Sequence, residues 1–248
     1  METSFIFRRA LQALLPATLL LASCGKDDAP APPAAVDQGQ VVFVNAASHI
    51  APTSLKFLVD NVEKATLAYG ATGSYQVLTA GSRPVQVTAG TQTALSQNVT
   101  VEKGKNYTFV ATPSTSASTV GGLFFTDDLT APAATKARIR VINLGQSLTT
   151  PIRLSQVTTT AGGPVVVDIV TNVANNQASA FLDFTPDSYA LSILDNSGAV
   201  LAQVGDGSGS GAGTKVYEAG KIYTVVVSGT RGSLNNDQKL KAFLAQYN

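Results

Sequence analysis

A single cysteine, a single histidine, one methionine and no tryptophan stand in 248 residues, and each scarcity closes a class of chemistry. One thiol cannot form a disulfide within the chain, and one His with one Cys cannot complete a four-ligand N/S shell for zinc. A Ser-His-Asp arrangement would have to run through His49, which lies in a loop just after the first predicted strand. No Gly-x-Ser-x-Gly elbow precedes a helix. Charge is scarce too: 13% of residues are Asp, Glu, Lys or Arg, with 17 basic against 16 acidic side chains. That balance gives no electrostatic footprint for nucleic acid. The chain is nevertheless 44% hydrophobic, which excludes a disordered polyelectrolyte. No cofactor and no metal are predicted.

What is present begins with an address. Residues 1–23 have the layout of a cleaved lipoprotein signal peptide: Arg8 and Arg9, then an apolar stretch over 10–22 interrupted by Pro16. That stretch is too short to span about 30 Å of hydrocarbon. Leu21-Ala22-Ser23-Cys24 resembles a bacterial lipobox, in which the Cys24 thiol becomes the attachment point for lipid. Lys26, Asp27 and Asp28 follow, and resemble the surface-export signal of some Gram-negative outer-membrane lipoproteins; a solvated charge cluster in a tether is the other reading. Cleavage takes two positive residues, Arg8 and Arg9, and one negative, Glu2, from a total of +1. The mature charge is then zero, so lipid rather than charge would hold the chain at a membrane. Residues 24–37 include Ala29-Pro30-Ala31-Pro32-Pro33, a semi-rigid polyproline spacer.

After residue 38 the chain consists of short runs rich in Val, Ile, Thr, Phe and Tyr, broken by Gly, Pro, Asn and Ser roughly every ten residues. This predicts an all-β fold with strands near 41–45, 55–59, 75–78, 83–88, 94–101, 106–112 and 122–126. Alternation is clearest at Val85 and Val87, which should face a core while Gln86 and Thr88 face water. Gly104-Lys105-Asn106-Tyr107-Thr108-Phe109-Val110 recurs as Gly220-Lys221-Ile222-Tyr223-Thr224-Val225-Val226, and Val44-Asn45 as Ile142-Asn143. The differing offsets place insertions at 158–164 and 205–213. Two tandem immunoglobulin-like antiparallel β-sandwich domains are therefore expected, over 38–132 and 136–248, joined by an Ala/Pro segment. The segment 237–247 fits both a helix and a strand, and the repeat favours a strand.

Leu67-Ala68-Tyr69-Gly70, Ala80-Gly81, Lys103-Gly104-Lys105-Asn106-Tyr107-Thr108, Asp127-Asp128 and Ala137-Arg138-Ile139-Arg140-Val141-Ile142-Asn143 together resemble the domain of unknown function 4397 family. The resemblance implies secreted or lipid-anchored bacterial proteins with a β-sandwich fold and no assigned activity. It covers about 40–130; the second half lacks the Tyr-Gly segment. No functional residues carry over.

The remaining candidates are few. Asp206-Gly207-Ser208-Gly209-Ser210-Gly211 begins like a calcium loop, but the twelfth position is Tyr217 rather than a carboxylate. Asp127 and Asp128 are adjacent, and strand neighbours point to opposite faces, so a solvated turn suits them better than a shared site. Tyr69 and Tyr75 are the aromatic candidates for ligand stacking. These readings predict a non-catalytic cell-envelope lipoprotein, at the outer membrane and surface-exposed. It would be held by its N-terminal lipid and would contact a surface polymer or an envelope protein through loops such as 68–74, 158–164 and 205–215. The alternative is a carboxylate-dependent glycan-processing enzyme, which needs two carboxylates about 5–10 Å apart in a concave site. Anchoring is directly testable: metabolic labelling with a fatty-acid analogue should mark the wild type, and Cys24→Ser should abolish the label.

Overall fold

The computed structural model describes residues 36–205 and 214–247. The segment read as a signal peptide, Cys24, Lys26, Asp27, Asp28 and the Pro-rich run lie outside the described residues, as does 206–213. Val36–Asn248 form one compact unit, and its described part is all-β, as the strand spacing predicts.

The first half holds β1 (Gln38–Asn45), β2 (Leu55–Val59), β3 (Val62–Leu67), β4 (Gln76–Thr79), β5 (Gly81–Ala89), β6 (Gln92–Val101), β7 (Asn106–Thr112) and β8 (Gly121–Asp127). They form two four-stranded sheets, β4-β1-β7-β8 and β3-β2-β5-β6. The second half holds β9 (Ala137–Gln146), β10 (Ile152–Thr160), β11 (Gly163–Val173), β12 (Gln177–Ala178), β13 (Leu182–Phe184), β14 (Ser188–Tyr189), β15 (Leu191–Leu194), β16 (Val200–Gly205), β17 (Lys215–Val216), β18 (Ile222–Thr230) and β19 (Lys241–Tyr247). Here the order is β11-β10-β15-β16-β19-β18-β9-β12, with β13 also on β9. The two layers become one sheet because β16 meets β19 in parallel at Val204↔Ala242 and Gly205↔Phe243.

Period-two alternation explains the layers. Val41, Phe43, Tyr107 and Phe109 point into a core shared with Phe57, Val85 and Val87, where the rings of Phe43, Phe57 and Phe109 lie 5.3–6.2 Å apart. The second core gathers Ile139, Val141, Ile152, Leu154, Ile193, Tyr223 and Val225. The intervening residues of the same strands are also buried, because the outer faces of β1-β7-β8 and β9-β18-β19 pack on each other. Val44, Ala46, Val110, Ile142, Leu144, Val226 and Phe243 form one cluster of this seam, and Val42, Phe181, Ile222, Ala245 and Tyr247 another. Strands buried on both faces read as continuous apolar runs, which is why Gln40-Val41-Val42-Phe43-Val44 shows little alternation.

The repeated motif has a local physical meaning. Gly104 and Gly220 take positive φ angles, +68° and +79°, which turn the chain back before β7 and β18. The Tyr107 hydroxyl then accepts the Glu102 N–H at 3.2 Å, and the Tyr223 hydroxyl the Glu218 N–H at 2.9 Å. Such a tyrosine corner is a feature of immunoglobulin-type sandwiches. The Asn pair behaves alike. Asn45 Nδ2 donates to the Leu67 carbonyl and its Oδ1 accepts the Ala47 N–H; Asn143 does the same with Val173 and Gly145.

Four features depart from the sequence reading. The pairs β1–β7 and β9–β18 are parallel, because each joins the first and a late strand of its half. β3 escapes the pattern since Glu63 and Lys64 occupy an exposed edge strand behind a two-residue turn, where Asp60 and Asn61 both have positive φ. Residues 68–74 are not a free loop: Gly70 and Gly73 N–H groups donate to the Asn45 and Phe43 carbonyls, and Thr72 bridges Val44. The insertion at 158–164 is the tip of the β10–β11 hairpin. The segment 241–247 is a strand, with Phe243 turned to the seam and Ala242 to the second core.

Because Asn143 is fully buried and answers two backbone groups, Asn143→Ala should destabilise the protein by about 2 kcal/mol. Urea unfolding should show a loss of under about 0.5 kcal/mol for Asn98→Ala on the exposed side of β6.

Candidate functional site

The seam contains one charged pair. Arg140 on β9 stands where the repeat has Val42 on β1, since Val42 pairs with Thr108 and Arg140 with Thr224. Its side chain is 1% exposed, and that of its partner Asp127, at the end of β8, is 0% exposed. Arg140 Nη2 lies 2.6 Å from Asp127 Oδ1. Nη2 also donates to Thr108 Oγ1 at 2.7 Å, and Nε to Thr224 Oγ1 at 3.0 Å. The guanidinium lies over the Phe181 ring, 4.5 Å from its centroid. Asp127 Oδ2 accepts from the hydroxyls of Thr108 at 2.7 Å and Tyr75 at 2.5 Å. The repeated Thr of the Gly-Lys-x-Tyr-Thr motif thus contributes one hydroxyl from each half to the same guanidinium.

The two candidate tyrosines line this seam. Tyr75 gives its hydroxyl to Asp127, and its ring lies 5.4 Å from that of Tyr247. Burial, and then the Asp127 charge, raise the Tyr75 pKa, so its phenol stays protonated. The Tyr69 ring meets Phe243 edge-on at 6.3 Å and carries the Lys241 ammonium at 5.5 Å; burial raises its pKa too. Both rings keep a partly exposed edge.

Most of the described acidic residues near the linker also serve as ion-pair partners. Arg138 reaches Asp128 Oδ2 at 3.1 Å, Asp183 Oδ1 at 3.2 Å and the Thr130 carbonyl at 2.9 Å. Hydrogen bonds from Thr130, first from its side chain and then from its backbone, followed by one from Arg138, lower the Asp128 pKa to about 2. Asp168 pairs with Arg153, and Asp195 with Arg231. His49 Nε2 donates to the Thr119 carbonyl at 2.8 Å. Among the described residues no group of three His, Cys, Asp or Glu side chains could hold a metal ion.

Concave polar surface gathers around the tip of the turn between β6 and β7, which crosses from one four-stranded sheet to the other. On one side Gly104, Lys105 and Asn106 face Thr126–Thr130 across a cleft of about 410 Å³. On the other side the same three residues face Gln38, Gly39, Gln40 and Val77 across about 220 Å³. Backbone bonds hold the tip: Gly104 N–H donates to the Gln38 carbonyl at 2.7 Å, and Gln40 N–H to the Lys105 carbonyl at 2.9 Å. Gly39 permits this approach, since a Cβ there would lie 2.6 Å from the Glu102 carbonyl oxygen. Both clefts sit on a fixed scaffold and present amide, ammonium and hydroxyl groups. Sequence marks 102–105 as a polar hairpin tip, but β6 pairs with β5 while β7 pairs with β1 and β8, so the segment is a turn that crosses between the two sheets. The burial of Asp127 and Arg140 leaves no sign in sequence, because it depends on two distant sheets meeting.

The matched segment carries both the Asn45 and the Asn143 elements. Residues 39–149 match the family described as Domain of unknown function (DUF4397). The DUF4397 segment runs from β1 through β9, so it includes Asp127, Arg140 and the tip between the clefts. No curated protein matches the chain. Among solved structures, a candidate cell adhesion protein from Bacteroides uniformis is similar at 12% identity and a TM-score of 0.26, over 87% of this chain and 98% of that one. The tip fimbrial protein Mfa3 from Porphyromonas gingivalis is similar at 9% identity and a TM-score of 0.26, over 85% of this chain and 100% of that one. Scores of this size do not establish a common fold.

Removing Asp127 alone leaves a buried guanidinium unpaired. Asp127→Leu should therefore destabilise by about 3–5 kcal/mol. The double variant Asp127→Leu/Arg140→Met should be more stable than that single variant in urea unfolding, because no charge remains buried.

Proposed function

We propose that this protein is a non-catalytic cell-envelope lipoprotein that binds a polar surface polymer, a glycan or an envelope protein's polar segment, at the turn between β6 and β7. Cys24 carries lipid at the outer membrane, Lys26-Asp27-Asp28 directs the chain to the cell surface, and residues 24–37 hold the folded part off the bilayer. In this reading 38–132 and 136–248 are two sandwich domains, each with its own core and docked through the seam. The observation that carries the binding role is the pair of clefts around Gly104, Lys105 and Asn106, fixed by backbone bonds to β1. A preorganised polar surface loses little entropy on binding. Support for a non-catalytic role comes from the carboxylates: Asp127 is sealed by Arg140, and Asp128 and Asp183 share Arg138. Tyr69 and Tyr75 contribute at most the exposed edge of each ring to a ligand.

A glycan array probed with the purified protein tests this reading. Binding by the wild type should fall about tenfold or more in Lys105→Ala/Asn106→Ala, the scale expected when charged and neutral hydrogen bonds are lost. Binding that is indifferent to these changes would remove the tip as the site. Turnover of a glycan, lost on substitution of a single Asp or Glu, would replace binding with catalysis.

A further inference from the structure

The β10–β11 hairpin has an edge unlike the others. β11 ends the long sheet, and its residues 164–168 are exposed. Val165, Val166 and Val167 are 49%, 41% and 54% exposed, although Val170 and Val173 of the same strand enter the second core. From Gln156 to Val167 there is no charged residue. Exposed edge strands are ordinarily blunted by charge, as β3 is by Glu63 and Lys64. Here Pro164 at one end and Asp168 at the other are the blunting residues, with three exposed valines between them, and the place of the proline is informative.

Proline has no N–H, so within an antiparallel pair it belongs at a position whose N–H points away from the neighbour. Pro164 pairs with Thr159, and the register then runs unbroken through Val165↔Thr158, Val166↔Val157, Val167↔Gln156 and Asp168↔Ser155. Bonding alternates along such a ladder. The N–H and C=O of Val166, and by a further two-residue step those of Asp168, therefore point to the open side.

We propose that β11 is a homodimerisation edge that pairs antiparallel, about a two-fold axis at Val166, with β11 of a second copy of this chain. The segment Pro164-Val165-Val166-Val167-Asp168 is nearly palindromic in chemistry. Centred on Val166, the pairing sets Val166 against Val166 of the second copy, Val165 against Val167, and Pro164 against Asp168. Every exposed valine meets a valine. The two Asp168 carboxylates, each held by its own Arg153 and Ser155 at 3.0 and 2.6 Å, end at opposite sides of the axis and do not face one another. About four backbone bonds form: two between the Val166 residues and one from each Asp168 N–H to a Pro164 carbonyl. A one-residue slip would turn the Pro164 and Val166 bonding groups against non-bonding positions, so proline also fixes the register. A strand of five residues buries far less than the roughly 800 Å² per partner of a stable complex, so the dimer is weak and concentration-dependent.

Sedimentation equilibrium of the full chain in detergent tests the pairing. The wild type should show a reversible monomer–dimer equilibrium. Val165→Lys/Val167→Lys sets like charges opposite each other and should weaken it about tenfold or more. Val165→Lys/Val167→Glu sets Lys against Glu of the second copy and should restore it to within about threefold of wild type. Because both variants change the same exposed positions, a folding defect would affect them alike and is checked by circular dichroism. A monomer at all concentrations, a dimer unmoved by the lysine pair, or a Lys/Glu variant as weak as the lysine pair would each overturn the proposal.

Discussion

Arg140 cannot leave water unless Asp127, Thr108 and Thr224 meet it at once, and the alignment of the seam follows from that demand. Burying the pair costs several kcal/mol per ion before attraction and hydrogen bonds offset it. The surrounding valines, isoleucine and phenylalanine supply the hydrophobic gain, but an apolar face has little preference for position. If β7 moved by one same-face step against β9, the guanidinium would meet Val110 instead of Thr108. The polar cluster therefore selects one docking among several that the apolar residues would accept. The Ser228 hydroxyl, which donates to the Ala46 carbonyl at 2.5 Å, makes a second polar contact across the same seam.

Strand positions were legible where one face of a strand meets the core, or where an unbroken apolar run is bounded by Gly or Pro. Leu55–Val59 and Asn106–Thr112 fall where the pattern puts them, and Val85 and Val87 are buried as their spacing requires. The Gly-Lys-x-Tyr-Thr repeat was legible as sequence, while its three jobs, the turn, the corner and the seam hydroxyl, needed coordinates to separate. The edge strand β3 was hidden because exposed strands are free to carry charge. Sequence suggests a solvated turn at Asp127, and the structure buries it, for a general reason: burial of this carboxylate depends on an arginine thirteen residues on, presented by another sheet. Local pattern cannot carry that information.

The candidate site shows the same division. Its glycine turn and its lysines are local, and sequence finds them, whereas the crossing between sheets is not local. Its concavity comes from the linker at 127–130 folding back under Arg138, which ties Asp128 and the Thr130 carbonyl to β9. Tyr69 and Tyr75 stand out in sequence as the aromatic rings that strand packing explains least, and the structure accounts for most of their surface through Phe243, Lys241, Asp127 and Tyr247. An aromatic ring without a strand to explain it can therefore belong to a packed junction as readily as to a binding face.

The parallel pairing of β1 with β7 bears on how the fold carries load. Tension entering through the residues before Gln38 acts along β1, an interior strand flanked by β4 and β7 and covered on both faces. Backbone bonds that cross the pulling direction are strained together in such a geometry, whereas a hairpin at a free edge would open bond by bond. The first strand is thus joined to the fold in shear, and drawing it out would disrupt the first core and the seam in the same event.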